Sequence, residues 1–149
     1  MADFLKQIIE GSTIGYDGKK YKVLGKAVYT TKNDPLSIYA KILLENHHVL
    51  VIAPADNIAY FGKNVGELSE FSTFAQNVSY QGKEYSRKDS DYQIVLNLEF
   101  GSPIEVEGEV KFWDYEVDDE IISIAIVSMD KTRADVVAKY ISFSDLTVS

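Results

Sequence analysis

The sequence predicts a single, mainly β domain over residues 1–149, or an α+β domain if its one short N-terminal helix is counted. The expected architecture is an antiparallel roll, barrel or sandwich of about ten short strands. Three observations predict it: polar and apolar residues alternate from Ser12 onward, turn residues recur about every 8–12 positions, and ten Tyr and seven Phe favour strands. A length of 149 residues suits one domain with a substantial core.

Composition excludes several classes of function. Lys and Arg number 15 against 23 Asp and Glu, so the formal net charge is −8. This balance argues against binding to nucleic acids and anionic membranes, which attract basic residues. The chain has no Cys, which excludes disulfides, thiol nucleophiles and Cys-ligated zinc and fits a reducing compartment. No apolar run approaches the ~20 residues of a membrane helix and no targeting signal is visible, so we expect a soluble, cytoplasmic protein.

The N-terminal segment predicts a helix of about two turns. Phe4, Leu5, Ile8 and Ile9 share one face at helical spacing. Gly11 follows where a left-handed residue commonly closes a helix. We expect the apolar face to pack on the sheet or across its open end.

The first half of the chain then predicts two hairpins and a third strand. Asp17-Gly18 lies between alternating segments and favours a type I′ turn, with a strand running on through a bulge at Gly25. The segments 37–45 and 48–53 flank a second turn, and a short strand over 58–61 ends before Gly62. Residues 62–76 fit either a helical face or an anchored loop.

The second half predicts a similar run of strands. Gln81-Gly82 marks a hairpin, and Asp118-Asp119 marks a later turn. The predicted strands are 78–80, a segment at Tyr85, 92–98, 104–112, 120–129 and 136–143.

A hexapeptide pattern occurs in both halves. Residues 16–21 and 80–85 share the form Tyr-x-Gly-Lys-x-Tyr. One interpretation is a duplication, with pseudo-repeats over 12–75 and 76–149. The other is that the pattern is simply a good hairpin, with Gly in the turn and Tyr pairs across the strands.

At these same residues the sequence resembles a bacterial family catalogued as domain of unknown function 4178. The resemblance rests on the opening helix with Gly11, on residues 16–25, on Val78–Tyr85 and on Val106–Glu109. It implies a mostly β bacterial domain. It brings no catalytic residues, because none is assigned in that family.

The residues offer little chemistry. His47 and His48 are adjacent at an expected hairpin tip, so they point to opposite faces and do not share a base or metal role. No serine elbow, phosphate loop or calcium loop is present. Nothing in the pattern predicts a cofactor or a metal.

Nine carboxylates lie between Glu99 and Glu120. Glu105 and Glu107 have a spacing that paired glycosidase carboxylates use, but alternation with Val and Ile favours a solvated sheet face. Asp118, Asp119 and Glu120 are weak candidates for cation binding.

The aromatic residues give the best binding hypothesis. If Val110 and Phe112 face inward, their neighbour Trp113 is partly exposed, and exposed aromatic patches favour partner interfaces. The alternative is that Trp113 caps a barrel end or turns inward at a bulge. The candidate interface or ligand residues are Trp113, Tyr115, Phe112, Tyr80 and Tyr85.

These observations favour a non-enzymatic module that binds a protein partner or self-associates. One alternative is a β-barrel that binds a small apolar ligand, which requires a closed cavity of about 300–1,000 Å³. A second is a hydrolase with paired carboxylates, which requires converging acids in a cleft, at least one with a raised pKa. We expect no nucleic-acid partner and no membrane insertion.

Overall fold

The computed structural model describes residues 2–101, 110–127 and 132–149. Over these ranges the chain is mainly β, with one short helix and twelve strands in one antiparallel sheet. Eight strands close into a barrel. Of the three predicted architectures, roll, barrel and sandwich, the barrel is therefore the observed one. The elements are α1 (Ala2–Gln7), β1 (Thr13–Tyr16), β2 (Lys19–Thr31), β3 (Tyr39–Leu44), β4 (His48–Ala53), β5 (Ile58–Gly66), β6 (Asn77–Tyr80), β7 (Lys83–Phe100), β8 (Val110–Val117), β9 (Glu120–Val127), β10 (Thr132–Arg133), β11 (Asp135–Ile141) and β12 (Leu146–Val148).

The barrel consists of two consecutive groups of four strands. Its order is β2-β3-β4-β5-β11-β9-β8-β7, and β7 pairs back onto β2. Outside the barrel, β1 pairs with β2 and β12, β6 pairs with β7, and β10 pairs with β9. Each half therefore starts with a hairpin strand and continues into four barrel strands. The duplication over 12–75 and 76–149 stays a prediction.

The predicted hairpin turns are confirmed by their backbone angles. Asp17 and Gly18 have φ values of 50° and 73°, and Gln81 and Gly82 have 49° and 78°. Positive φ at both central residues is what a type I′ turn requires. The turn at residues 46–47 has the same property, with φ of 60° and 63°.

Several predicted boundaries are wrong. β5 continues past Gly62 to Gly66, because Gly62 marks a close approach of β11 rather than a strand end. A Cβ at Gly62 would collide with the backbone of Val137 and Ala138.

The segments at Tyr85 and over 92–98 form one strand of 18 residues. β7 keeps pairing through its polar middle by a register shift against β8 between Arg87 and Asp89. β12, which the sequence did not predict, pairs with β1. The part of the 104–112 strand before Val110 and the end of the 120–129 strand lie outside the described residues.

The apolar core is divided among the barrel lumen and two clusters outside the barrel wall. The first outer cluster lies between β3–β5 and α1, β1 and β12, and includes Ile8, Ile14, Ile42, Leu50, Ile52 and Leu146. The second outer cluster consists of Phe71, Val78, Tyr85, Tyr115, Ile122 and Ile124.

Residues 67–76, here named the cover segment, close the second outer cluster. The segment contains a single 3-10 turn at Ser69–Phe71, and Phe71 is fully buried. The anchored loop, one of the two predicted alternatives, is therefore the observed one.

None of the helices in the described ranges is long and apolar enough to cross a membrane.

Candidate functional site

A cavity of about 150 Å³ lies inside the barrel. Its lining combines aromatic and aliphatic side chains with polar and charged groups, and it extends to the exposed residues Lys88 and Asp89. The aromatic lining residues are Tyr39, Tyr60, Phe112 and Tyr140, the aliphatic ones are Val51, Ala53, Ile58 and Ile121, and the polar ones include Lys41, Lys88, Asp89, Gln93, Asp114 and Ser123.

Strand alternation explains why polar groups face the lumen. On β3, Tyr39 and Lys41 line the cavity while Ala40 and Ile42 pack into the first outer cluster. On β8, Phe112 and Asp114 line it while Tyr115 enters the second outer cluster. Successive side chains alternate between the two faces of a strand. Because one set of side chains of β3 and β8 packs into the apolar outer clusters, the alternate set, which includes Lys41 and Asp114, faces the lumen.

Asp114 is the most unusual group of the lumen. Its Oδ1 is out of contact with solvent and accepts no hydrogen bond within the described part of the chain. Burial is the main cause that raises the pKa of Asp114 to about 6, and the nearby negative charge of Asp89 raises it further. The hydrogen bond with Ser123 and the positive charges of Lys41 and Lys88 act in the opposite direction. A carboxyl with a raised pKa in a cavity is a recognised mark of a functional site.

Several other polar lining residues hydrogen-bond or form ion pairs with neighbouring side chains. Tyr39 donates a hydrogen bond from Oη to Gln93 Oε1 at 2.7 Å. Tyr140 Oη donates to Glu116 Oε2 at 2.7 Å, and Lys88 Nζ pairs with the same oxygen at 3.1 Å. Burial, together with Glu116, raises the pKa of Tyr140.

Lys41 also lies within the lumen. Its Nζ is 5.5 Å from the centroid of the Tyr29 ring, a distance at which a cation is attracted to an aromatic face. The Tyr29 ring in turn stacks on Tyr39, with centroids 5.5 Å apart.

The five aromatic candidates from the sequence occupy two different places. Trp113, Tyr115, Tyr80 and Tyr85 are together in or against the second outer cluster, whereas Phe112 faces the lumen.

The cover segment contacts these aromatic residues. Phe74 stacks on Trp113 with centroids 4.0 Å apart and an interplanar angle of 12°. Tyr115 is fully buried and donates a hydrogen bond from Oη to Ala75 O at 2.8 Å.

The weak metal candidates lie at the turn between β8 and β9. Glu120 Oε2 pairs with Lys83 Nζ at 2.7 Å, and Asp119 Oδ2 lies 3.4 Å from Lys139 Nζ. The hydrogen bond from Lys83 lowers the pKa of Glu120. Asp118 takes the positive φ of the turn, 54°. Across the described ranges, no three His, Asp or Glu side chains are placed to hold a metal ion.

The two histidines do not line the lumen cavity. His47 lies in the β3–β4 turn, and the His48 ring packs against Tyr21 with centroids 4.7 Å apart. Glu105 and Glu107 lie outside the described residues.

Sequence reasoning missed Lys41, Gln93, Asp114 and Ser123 as lumen residues. The available signal was a charged residue at an alternating position within an apolar strand, as in Tyr39-Ala40-Lys41-Ile42. Such a residue is solvent-facing in an ordinary half-exposed sheet. In a barrel whose outer wall is covered by other elements, a charged residue at such a position faces the lumen instead of the solvent.

Comparison with known proteins identifies one family. A model described as domain of unknown function (DUF4178) matches residues 10–139. Neither the curated proteins nor the solved structures give a significant match.

Proposed function

The chain belongs to the family of domains of unknown function DUF4178, and we propose that the lumen of its barrel binds a small polar molecule. The observation that carries the proposal is Asp114 Oδ1, a buried acceptor with no donor among the described residues, in a cavity lined by other polar groups. Buried polar atoms are nearly always hydrogen-bonded, so such an atom calls for a specific partner.

The size of the cavity limits the ligand. Its volume of about 150 Å³ is roughly five times the ~30 Å³ that one water occupies in the liquid. Pockets for drug-sized apolar ligands span about 300–1,000 Å³. The small volume and the charged side chains within the lining together favour a small polar molecule over the small apolar ligand considered from the sequence.

A protein-interaction or self-association module is the second candidate. Ile94, Leu96 and Leu98 occupy alternate positions of β7 and are 42%, 51% and 41% exposed. Exposed apolar rows of this kind favour contact with another chain. Light scattering after size-exclusion chromatography tests self-association: a mass that rises with concentration supports it, and a strict monomer at high concentration contradicts it.

A hydrolase with paired carboxylates is a third proposal, supported by one geometric feature. Asp89 and Asp114 are opposite one another on β7 and β8, and both line the cavity. The raised pKa of Asp114 suits a general acid. Asp89 is solvent-exposed, and the cavity leaves little room for a scissile substrate, so binding has the stronger support.

We further infer a bacterial, cytoplasmic setting. The absence of Cys fits a reducing compartment, and the family resemblance supports the origin. Fractionation of the native cells, followed by detection of the chain, tests the location.

The test of lumen binding uses a fragment library and two variants that fill the cavity. Ligands are detected by amide chemical-shift changes, with Ser123→Leu and Ala53→Leu as the cavity-filling variants. We expect bound fragments to shift amides of β3, β8 and β9, and to bind at least tenfold more weakly to a filled variant that keeps the wild-type far-UV spectrum. Binding that survives in a folded, filled variant contradicts the proposal.

A further inference from the structure

We infer that the ligand of the lumen carries a small cationic nitrogen, such as a primary ammonium, which donates a hydrogen bond to Asp114 Oδ1. This inference rests on the proposed binding function and names the chemical class of the ligand. Three features of the described residues carry it: an acceptor without a donor, the balance of charge around the cavity, and the aromatic lining.

The acceptor is the first feature. Asp114 Oδ1 is buried and accepts no hydrogen bond from the described residues, and its cross-strand neighbour Ser123 offers a single hydroxyl. An ionised carboxylate accepts only, so its partner has to be a donor. A hydroxyl would give the ionised carboxylate a hydrogen bond alone, whereas an ammonium adds a full positive charge opposite it, and this attraction is stronger in the buried lumen than in water.

The charge balance is the second feature. Lys41 and Lys88 line the cavity, together with Asp89 and Asp114. Glu116 is not among the lining residues, but its Oε2 lies 3.1 Å from Lys88 Nζ and compensates that positive charge. Counted over these described residues, two positive charges meet three negative ones. This group of described residues carries more negative than positive charge, and such a group in a chain of net charge −8 attracts cations and repels anions.

The aromatic lining is the third feature. Tyr39, Tyr60, Phe112 and Tyr140 contribute to the cavity wall. Aromatic faces attract ammonium groups within about 6 Å of the ring centroid, most strongly where water is excluded. The Lys41–Tyr29 contact shows that the lumen already holds one such pair.

Binding is expected to weaken in acid, because the carboxylate loses its charge. Asp114 is faced by Lys88 and Asp89 from β7, Lys41 from β3 and Ser123 from β9, and Tyr140 on β11 lies within its electrostatic reach. With the pKa of Asp114 at about 6, roughly one molecule in ten is ionised at pH 5, whereas an alkylammonium (pKa ~10) stays charged. We expect about tenfold weaker binding at pH 5 than at pH 7.5.

The experiment compares three probes of equal length: propylammonium, propanol and propionate. Amide chemical shifts are followed during titration at pH 7.5 with the whole chain. We expect propylammonium to shift amides around Asp114 and Ser123, with propanol at least tenfold weaker and propionate without effect. Asp114→Asn should weaken propylammonium at least tenfold, and Asp145→Asn, the same change at an exposed residue between β11 and β12, should not.

The outcomes separate this inference from the broader proposal. If propanol or propionate binds in the lumen as well as propylammonium, or if Asp114→Asn leaves its affinity unchanged, the ligand class is wrong while lumen binding stands. If none of the three probes shifts a lumen amide, water alone satisfies Asp114 and the inference is overturned. If the probe binds equally to a folded Ser123→Leu variant, the site is elsewhere and the proposed function fails too.

Discussion

Asp114 links the energetics of the fold to the proposed site. A carboxyl whose pKa is higher in the folded than in the unfolded state binds its proton more tightly when folded. The contribution of Asp114 to the stability of the fold is therefore most favourable at pH values below its ordinary pKa of 3.8, and this contribution is lost as the pH rises through about 6. At neutral pH the chain retains an ionised group that destabilises the fold. Functional sites commonly carry such a cost.

Replacing Asp114 by Asn is expected to stabilise the protein at pH 7.5, by at most about 3 kcal/mol for a shift of two pKa units. The gain should shrink between pH 6 and pH 4, because the wild-type carboxyl is then protonated. Urea unfolding at pH 7.5 and pH 4 measures the difference. Asp145→Asn, at an exposed residue, is the control, and an equal effect of Asp114→Asn at both pH values would contradict the assignment.

Trp113 and Phe74 give a second test at the residue scale. The stacked pair holds the cover segment against β8, and Trp113 is the single Trp of the chain. Phe74→Ala is expected to expose the indole and to destabilise the fold by about 1–3 kcal/mol. The measurement is a red shift of Trp emission, with Glu70→Ala in the exposed part of the cover segment as the control. Unchanged emission would show that the stack does not shield Trp113.

At the scale of elements, the two halves of the barrel meet closely at β5 and β11. Gly62 lies opposite Ala138 on β11 and Val49 on β4. The backbone of β11 occupies the space where a Cβ would project. This contact completes the wall on one side of the lumen, and the β2–β7 pairing completes it on the other.

Gly62→Ala is expected to destabilise the protein by about 1–3 kcal/mol, as overpacking does. The sign of the change in unfolding free energy is informative, because a Gly→Ala change in a strand without such a clash stabilises the protein by about 0.4–1 kcal/mol. Denaturant unfolding measures the change, and Lys63→Ala at the exposed neighbouring position is the control. A stabilised Gly62→Ala variant would mean that β5 and β11 are further apart.

At the scale of the whole molecule, the local features were predictable and the long-range ones were not. Asp17-Gly18 and Gln81-Gly82 specify their hairpins through their own backbone preferences. The pairing of β2 with β7 joins segments distant in the sequence, and no local pattern specifies it. A closed barrel was therefore only one of three architectures, with the roll and the sandwich, that were compatible with the alternation of polar and apolar residues.

The lumen was not predictable for a related reason. Alternation tells which residues share a face of a strand but not which face is covered by other elements. In β3 and β8 both faces are covered, the outer one by α1 and β1 or by the cover segment. Lys41 and Asp114 therefore belong to the interior, although their residue types indicate a solvated surface.

The central claim is that the barrel lumen binds a small cationic molecule through Asp114. A high-resolution crystal structure grown with propylammonium at pH 7.5 tests it most directly. The account predicts density for the amine inside the barrel, with its nitrogen about 2.7–2.9 Å from Asp114 Oδ1. A lumen that holds only water at the same amine concentration, with Asp114 hydrogen-bonded to it, would contradict the account.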